Sequence, residues 1–286
     1  MSVFQSPSTR RLIERALTED AAHEDPSARV FGRNHRSTAR IVAKESTVVA
    51  GLPIVAELYE ILGGETDWSL ETVEGERVEP GTTVARGDGR TAALLKGERA
   101  ALNFLQRLCG IATRTAAFVE AAGPDGPTVV DTRKTLPGFR HLDKYAVRCG
   151  GGRNHRRDLS GGVIVKENHI EAAGGVEPAV ARIRDEAPHT VRIEVEAETH
   201  EEALRAVDAG ADAVMLDNMS ADEMEPIVAE IRRSADGGVV VEASGDVTLD
   251  RLPELAAIDL DVVSVGALTH SVDATDLSMR LEAVDR

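Results

Sequence analysis

Six short apolar runs, separated by helix-length segments, constrain this chain more than any other feature. They read TVVD (128–131), VIVKE (163–167), RIEVEA (192–197), AVMLD (213–217), VVVEAS (239–244) and VVSVG (262–266). Between the later ones lie EPAVARIRDEA, HEEALRAVDAG, ADEMEPIVAEIRRS and TLDRLPELAAI. Parallel neighbours need a crossover long enough for a helix, so this alternation implies a parallel sheet and an α/β fold class. Such crossovers are right-handed, and about six units can curl toward a barrel with helices outside.

Each run finishes on a polar residue or glycine: Asp131, Lys166 with Glu167, Glu196, Asp217, Ser244 with Gly245, and Gly266. In a β/α barrel these C-terminal ends ring the active site, and phosphates settle on the loops after the last strands. Charged residues also mark strand ends for structural reasons, but that accounts well for one or two positions, not for all of them. In RIEVEA, Ile193 and Val195 face one way and Glu194 and Glu196 the other. Carboxylates turned into a barrel need cations or magnesium as partners. Periodicity leaves open which of the two glutamates is functional.

The N-terminal part mixes element types. RRLIERALTED is helical, with Leu12, Ile13, Ala16 and Leu17 on one face; ARIVAKESTVVAG is extended; PIVAELYEILGG is a helix opened by Pro53 and closed by glycine. Strand-like pieces run to about residue 96, followed by a long helix, GERAALNFLQRLCGIATRTAAFVEAAG. We divide the chain into an N-terminal block, 1–113, and a barrel block, 114–286, the helix that begins at 97 linking them.

Charge is the second constraint. The chain carries a formal −16, with 28 arginines and only five lysines. An acidic, lysine-poor surface suggests adaptation to high salt, and it should repel nucleic acid and anionic membranes. Against that background, Arg133–Glu167 holds nine cations and three carboxylates, a local +6 that leaves −22 on the remainder. Charge runs are usually solvated faces, but this one also carries glycines and histidines in a loop-like pattern. A positive pocket in a negative protein suits a small polyanionic ligand. The start, MSVFQSPSTRRLIERALTED, has no apolar signal core, so a cytoplasmic location is expected. Cys109 and Cys149 form no close-spaced pair and are expected to be free thiols.

The motifs GERAALNFLQRLCGIAT (97–113), DTRKTLPGFRHLDKYAVRCGGGRNHRRDLS (131–160), VKENH (165–169), IEVEAET (193–199), GADAVMLDN (210–218), EASGD (242–246) and SVGALTHS (264–271) resemble those of the quinolinate phosphoribosyltransferases. The resemblance implies an N-terminal α/β sandwich domain and an incomplete, six- or seven-stranded β/α barrel. It also implies transfer of phosphoribosyl from phosphoribosyl pyrophosphate to quinolinate with loss of CO2, giving nicotinate mononucleotide and pyrophosphate for NAD synthesis. By similarity, Arg133, His155 and Arg156 would bind the quinolinate carboxylates, with Lys134 and Lys166 near the reacting groups. Glu196 and Asp217 match the family's acidic pair; the spacing to Asp217 selects Glu196 over Glu194. Mg2+ would arrive with the pyrophosphate near this pair rather than on a dedicated protein site. The 5-phosphate would lie on Ser244, Gly245, Gly266 and Ala267, with His270 assisting. Arg99 matches an arginine donated across the interface of a homodimer or larger homo-oligomer. The phosphate turn reads SGD where many relatives have SGG or SGN, so Asp246 puts a carboxylate beside a phosphate site.

Three other readings compete. A paralogous pyrophosphorylase would lack the quinolinate-binding cations, which look complete here. A Schiff-base enzyme using Lys166 is disfavoured by the surrounding arginines. A nucleic-acid module is disfavoured by the −22 remainder and an aromatic content of 3%, too low for stacking platforms.

Overall fold

The computed structural model describes residues 2–234 and 238–283. In chain order the elements are α1 (Pro7–Glu19), β1 (Arg36–Ala43), β2 (Thr47–Val48), α2 (Pro53–Leu62), β3 (Thr66–Leu70), β4 (Arg77–Val78), β5 (Thr83–Arg90) and α3 (Thr91–Ala122). They continue with β6 (Thr128–Val130), α4 (Arg140–Cys149), β7 (Val163–Val165), α5 (Glu167–Ala173), α6 (Val176–Glu186), β8 (Ile193–Ala197), α7 (His200–Asp208) and β9 (Ala213–Asp217). The last are α8 (Ala221–Ser234), β10 (Val240–Ser244), α9 (Leu252–Ala256), β11 (Val262–Ser264), α10 (Ala267–His270) and β12 (Leu277–Ala283).

Two compact units interleave along the chain. The first comprises 1–116, 135–151 and 269–286; the second comprises 117–134 and 152–268. The consecutive blocks expected from the sequence contain neither return of the chain to the first unit.

The first unit is built on an antiparallel sheet in the order β12-β1-β5-β3. Along β1, Ser37, Ala39 and Ile41 are buried and alternate with more exposed neighbours, the pattern of a sheet with one covered face. Helix α1 starts where the Ser6 hydroxyl accepts the Thr9 N–H (3.3 Å) and Pro7 occupies the first turn. It buries Ile13 and Leu17, each worth roughly 2 kcal/mol of transfer free energy. On α2, Tyr59 stacks on Trp68 of β3 (centroids 4.9 Å) and donates its hydroxyl to the Leu94 carbonyl of α3 (2.7 Å). Helix α3 begins at Thr91, before the start expected near Gly97. Gly97 is no helix breaker here: a Cβ on it would lie 2.6 Å from the Tyr59 ring, so glycine lets the two helices approach.

The second unit holds six parallel strands in the order β6-β11-β10-β9-β8-β7. The first strand of the series pairs with the last, so the sheet is a barrel left open between β6 and β7. A single parallel bridge from Val130 to Arg153 lies on the open edge of β6: Arg153 N–H donates to the Val129 carbonyl (2.9 Å), and Asp131 N–H to the Arg153 carbonyl (3.2 Å). The basic strap after Gly152 is thereby fixed to the barrel wall.

Candidate active site

Within the second unit the strand ends bring functional groups together in register. Asp217 ends β9 opposite Ser244 at the end of β10, and Glu196 on β8 lies opposite Met215 on β9. The Lys166 ammonium, just past β7, forms an ion pair with Glu196. Lys166 N–H also donates to His169 Nδ1 (3.0 Å) at the start of α5. A lysine held against a carboxylate is not free to attack a carbonyl, as a Schiff base requires. The Asp217 Oδ2 accepts from Asn218 Nδ2 (2.7 Å).

Phosphate-type groups have a shaped turn to meet. Gly245 has φ +85°, and a Cβ there would lie 2.1 Å from Asn218 Oδ1, so only glycine fits. Asn218 (φ +57°) and Asp246 (φ +36°) also adopt left-handed backbone. Arg251 ties the turn down by donating to the carbonyls of Gly245 (3.3 Å), Asp246 (3.2 Å) and Met219 (2.9 Å). The Asp246 side chain is exposed. Gly266 and Ala267 follow β11 after Val265.

The strap 153–157 carries the cations. Asp131, fully buried, accepts His155 N–H (2.9 Å) and Asn154 Nδ2 (2.6 Å). The His155 ring is engaged at both nitrogens. Its Nε2 lies 3.3 Å from Glu194 Oε2 and 3.6 Å from Glu242 Oε2, and its Nδ1 accepts Arg156 N–H at 2.7 Å. Burial works against charging this imidazole, but hydrogen bonds to Glu194 and Glu242 outweigh it and raise the pKa to about 9. The Glu242 carboxyl is pushed up, first by burial and then by the charge of Glu194. Arg156 donates Nη1–H to the Gly162 carbonyl (2.8 Å), while its buried Nε has no hydrogen-bond partner. Burial and then the Arg133 charge lower its pKa below the usual arginine value. Arg133 and Lys134 are exposed on the loop after β6.

Among the described residues, His155, Glu194 and Glu242 are the one metal-like cluster of three, with ligand atoms within 4.8 Å of each other. A neutral imidazole has one lone-pair nitrogen. Here Nδ1 uses it to accept the Arg156 amide, so Nε2 carries the proton and cannot ligate. A groove of about 1260 Å³ lies elsewhere, in the first unit, between α1 and α3, lined by Arg11, Arg15, Asn103, Phe104, Arg107 and Phe139. None of the site residues expected from the sequence lines it. Arg99 is exposed on α3 near this groove lining, and His270 ends α10 with Nδ1 2.7 Å from Ser271 Oγ; both belong to the first unit.

Both sequence candidates on β8 are therefore used, Glu196 by Lys166 and Glu194 by His155. Asp131, Asn154 and Glu242 were missed as site residues. Asp131 was visible at a strand end, whereas Glu242 lies in the middle of β10, and no local pattern marks which side chain meets which. The two cysteines are free, and burial pushes each thiol up to about 12, so neither is a reactive thiolate.

Comparison with known proteins shows the family and fold to which the chain is similar. The sequence model for the quinolinate phosphoribosyl transferase C-terminal domain matches residues 111–280, and that for the N-terminal domain matches 25–109. The carboxylating nicotinate-nucleotide pyrophosphorylase of Homo sapiens is 43% identical over 95% of this chain and 91% of its own length. The probable counterpart from Synechocystis is 41% identical over 94% and 91%. Among solved structures, NadC from Streptococcus pyogenes aligns with a TM-score of 0.91 at 39% identity, covering 96% of each chain. The nicotinate-nucleotide pyrophosphorylase from Francisella tularensis aligns at 0.91 and 33%, covering 99% of each. Residues 25–280 thus carry both family domains in order, and the chain belongs to the quinolinate phosphoribosyltransferase family.

Proposed function

We propose that the chain transfers phosphoribosyl from phosphoribosyl pyrophosphate to N1 of quinolinate and decarboxylates the product to nicotinate mononucleotide. The observation that carries this reading is the buried Arg156 Nε, an unpartnered donor on a cation already crowded by Arg133. Guanidinium forks suit planar carboxylates, so a dicarboxylate would relieve both the orphaned donor and the like-charge repulsion. Lys134 and Lys166 would stand near the reacting groups.

In the transfer step the bond from ribose C1 to pyrophosphate breaks, its electron pair leaving with pyrophosphate, and the quinolinate nitrogen lone pair forms the new bond to C1. Charge building on the sugar is oxocarbenium-like, and Glu196 and Asp217 would stabilise it and hold the ribose hydroxyls. The cations stabilise the leaving pyrophosphate electrostatically. The alkylated ring then acts as the electron sink: the C2–carboxylate bond breaks, CO2 leaves and C2 takes up a proton. Ser244, Gly245, Gly266 and Ala267 would hold the 5-phosphate through backbone N–H groups, with His270 assisting.

The oxygen ligands of Glu196 and Asp217 suit Mg2+, which would arrive with phosphoribosyl pyrophosphate and neutralise charge on its phosphates. We further assign a homo-oligomer in which Arg99 serves the neighbouring subunit. Arg99 is exposed and has no hydrogen bond or ion pair among the described residues, which supports that reading. The acidic surface supports work at high salt in the cytoplasm. No helix among the described residues is long and apolar enough to cross a membrane.

Incubating purified protein with Mg2+, phosphoribosyl pyrophosphate and either quinolinate or nicotinate, at high and low salt, tests the reading. Nicotinate mononucleotide and CO2 from quinolinate alone are expected. Folded protein that leaves quinolinate unchanged at every salt concentration would overturn it in favour of a paralogous pyrophosphorylase.

A further inference from the structure

The barrel interior holds two carboxylates that the reaction as described does not use. Glu194 on β8 and Glu242 on β10 are 8% and 3% exposed, and both converge on His155 Nε2. Glu242 Oε1 is buried and has no hydrogen-bond partner. Two buried carboxylates this close repel one another, and an uncompensated buried charge is costly.

The His155 ring links this pair to the strap. Nδ1 accepts Arg156 N–H (2.7 Å), so it must hold a lone pair, and the ring proton sits on Nε2 facing Glu194 (3.3 Å). The backbone is held at the same point by Asp131, which accepts His155 N–H (2.9 Å). Arg156 is therefore anchored at its own amide, one residue from a doubly fixed histidine. Glu194 adds a charge that favours the Arg156 guanidinium.

We propose that Glu194 and Glu242 are positioning residues: a buried carboxylate pair that fixes the His155 ring in one tautomer, so that Nδ1 anchors the Arg156 main chain and aims its guanidinium at a substrate carboxylate. The proposal rests on the assignment of Arg156 to the quinolinate carboxylates.

The proton inventory is consistent. The groups meeting the ring are Glu194 and Glu242 at Nε2 and the Arg156 amide at Nδ1, with Asp131 holding the His155 backbone and the Arg133 charge acting on Arg156. Writing one proton on Nε2 and one on Glu242, or both on the ring, describes the same total, because His155 and Glu242 titrate together. The accepting role of Nδ1 selects the first arrangement.

Nitrogen NMR of the histidine rings at pH 7.5, with His155→Gln identifying the signal, reads the tautomer in the native protein. The expected His155 pattern is one unprotonated and one protonated ring nitrogen. Glu194→Gln should broaden it into tautomer exchange, shift the pH profile of kcat/KM, and raise the quinolinate KM by about ten- to a hundredfold with the phosphoribosyl pyrophosphate KM little changed. Glu242→Gln, which mimics a protonated carboxyl, should cost less than Glu194→Gln. A doubly protonated His155 in the native protein overturns the proposal, with no variant needed. So does a folded Glu194→Gln enzyme with native quinolinate KM. Native protein that shows the expected tautomer but does not turn over quinolinate would instead overturn the functional reading on which the proposal rests.

Discussion

The stretch 133–167 supplies residues to two buried charge clusters built on opposite terms. In the first unit, Asp143 of α4 is fully buried and receives Arg107 through two hydrogen bonds (2.9 and 2.8 Å) plus Leu136 N–H (3.3 Å). Arg107 in turn donates to the Thr269 carbonyl (3.0 Å) and lies over the Phe139 ring. In the second unit, the strap cluster leaves Arg156 Nε and Glu242 Oε1 without partners. A closed ion pair holds helices together; an open one costs stability and keeps donors ready for a ligand. Part of the basic island read from the sequence is thus structural. Lys144 is buried in α4 and Arg148 lies over Tyr145, whereas Arg156 is poised for chemistry.

The comparison breaks most sharply at Arg156 itself. Arg156→Ala should lower kcat/KM for quinolinate by about a hundredfold or more, because a desolvated charge pair with the substrate is lost. Its melting temperature should stay at or above the native value, since removing an orphaned donor relieves strain. Asp143→Asn should do the reverse. Denaturant unfolding is expected to show a loss of about 3 kcal/mol, from an Arg107 left without its counter-charge, with quinolinate KM near the native value. If both variants lose activity and stability together, the two clusters are not distinct in kind.

The strap cluster also has a pH signature. The proton that His155 and Glu242 share, placed on Glu242 while Nδ1 accepts the Arg156 amide, is held up to about pH 9 in the folded protein, so it adds stability that is fully present below about pH 6.5 and is lost as pH climbs through about 9. Native protein should therefore lose stability across that window, and Glu194→Gln should flatten the dependence. At the Arg107–Asp143 pair, burial pushes the carboxyl up and the guanidinium pulls it back down.

Smaller effects test the phosphate turn. Gly245→Ala would force a Cβ into Asn218 at a left-handed φ, and about a tenfold rise in the phosphoribosyl pyrophosphate KM is expected from a strain of roughly 2 kcal/mol. Asp246→Gly should move the same KM down by about threefold, because it relieves left-handed backbone and removes an exposed charge near the phosphate.

Much of the barrel was legible in the sequence. Strand–helix alternation gave all six strands to within one or two residues, with AVMLD at 213–217 in full agreement, because period and length are local properties. Pairing is not local. Strand β12 joins β1 from the far end of the chain, and alternation shows that a segment is extended without showing what it meets. Likewise RIEVEA placed Glu194 and Glu196 on one face, but only the folded barrel shows that Glu196 meets Lys166 while Glu194 meets His155. The charge island was visible as a sum; its division into closed and open halves depends on burial, which a charge count does not contain.

Calorimetric titration of quinolinate and nicotinate into native protein and Arg156→Ala tests the central claim most directly, since the ligands differ by one carboxylate. The account expects native protein to bind quinolinate at least about tenfold more tightly than nicotinate, and Arg156→Ala to lose that preference. Equal affinity for the two ligands in native protein, or an undiminished preference in Arg156→Ala, would contradict it.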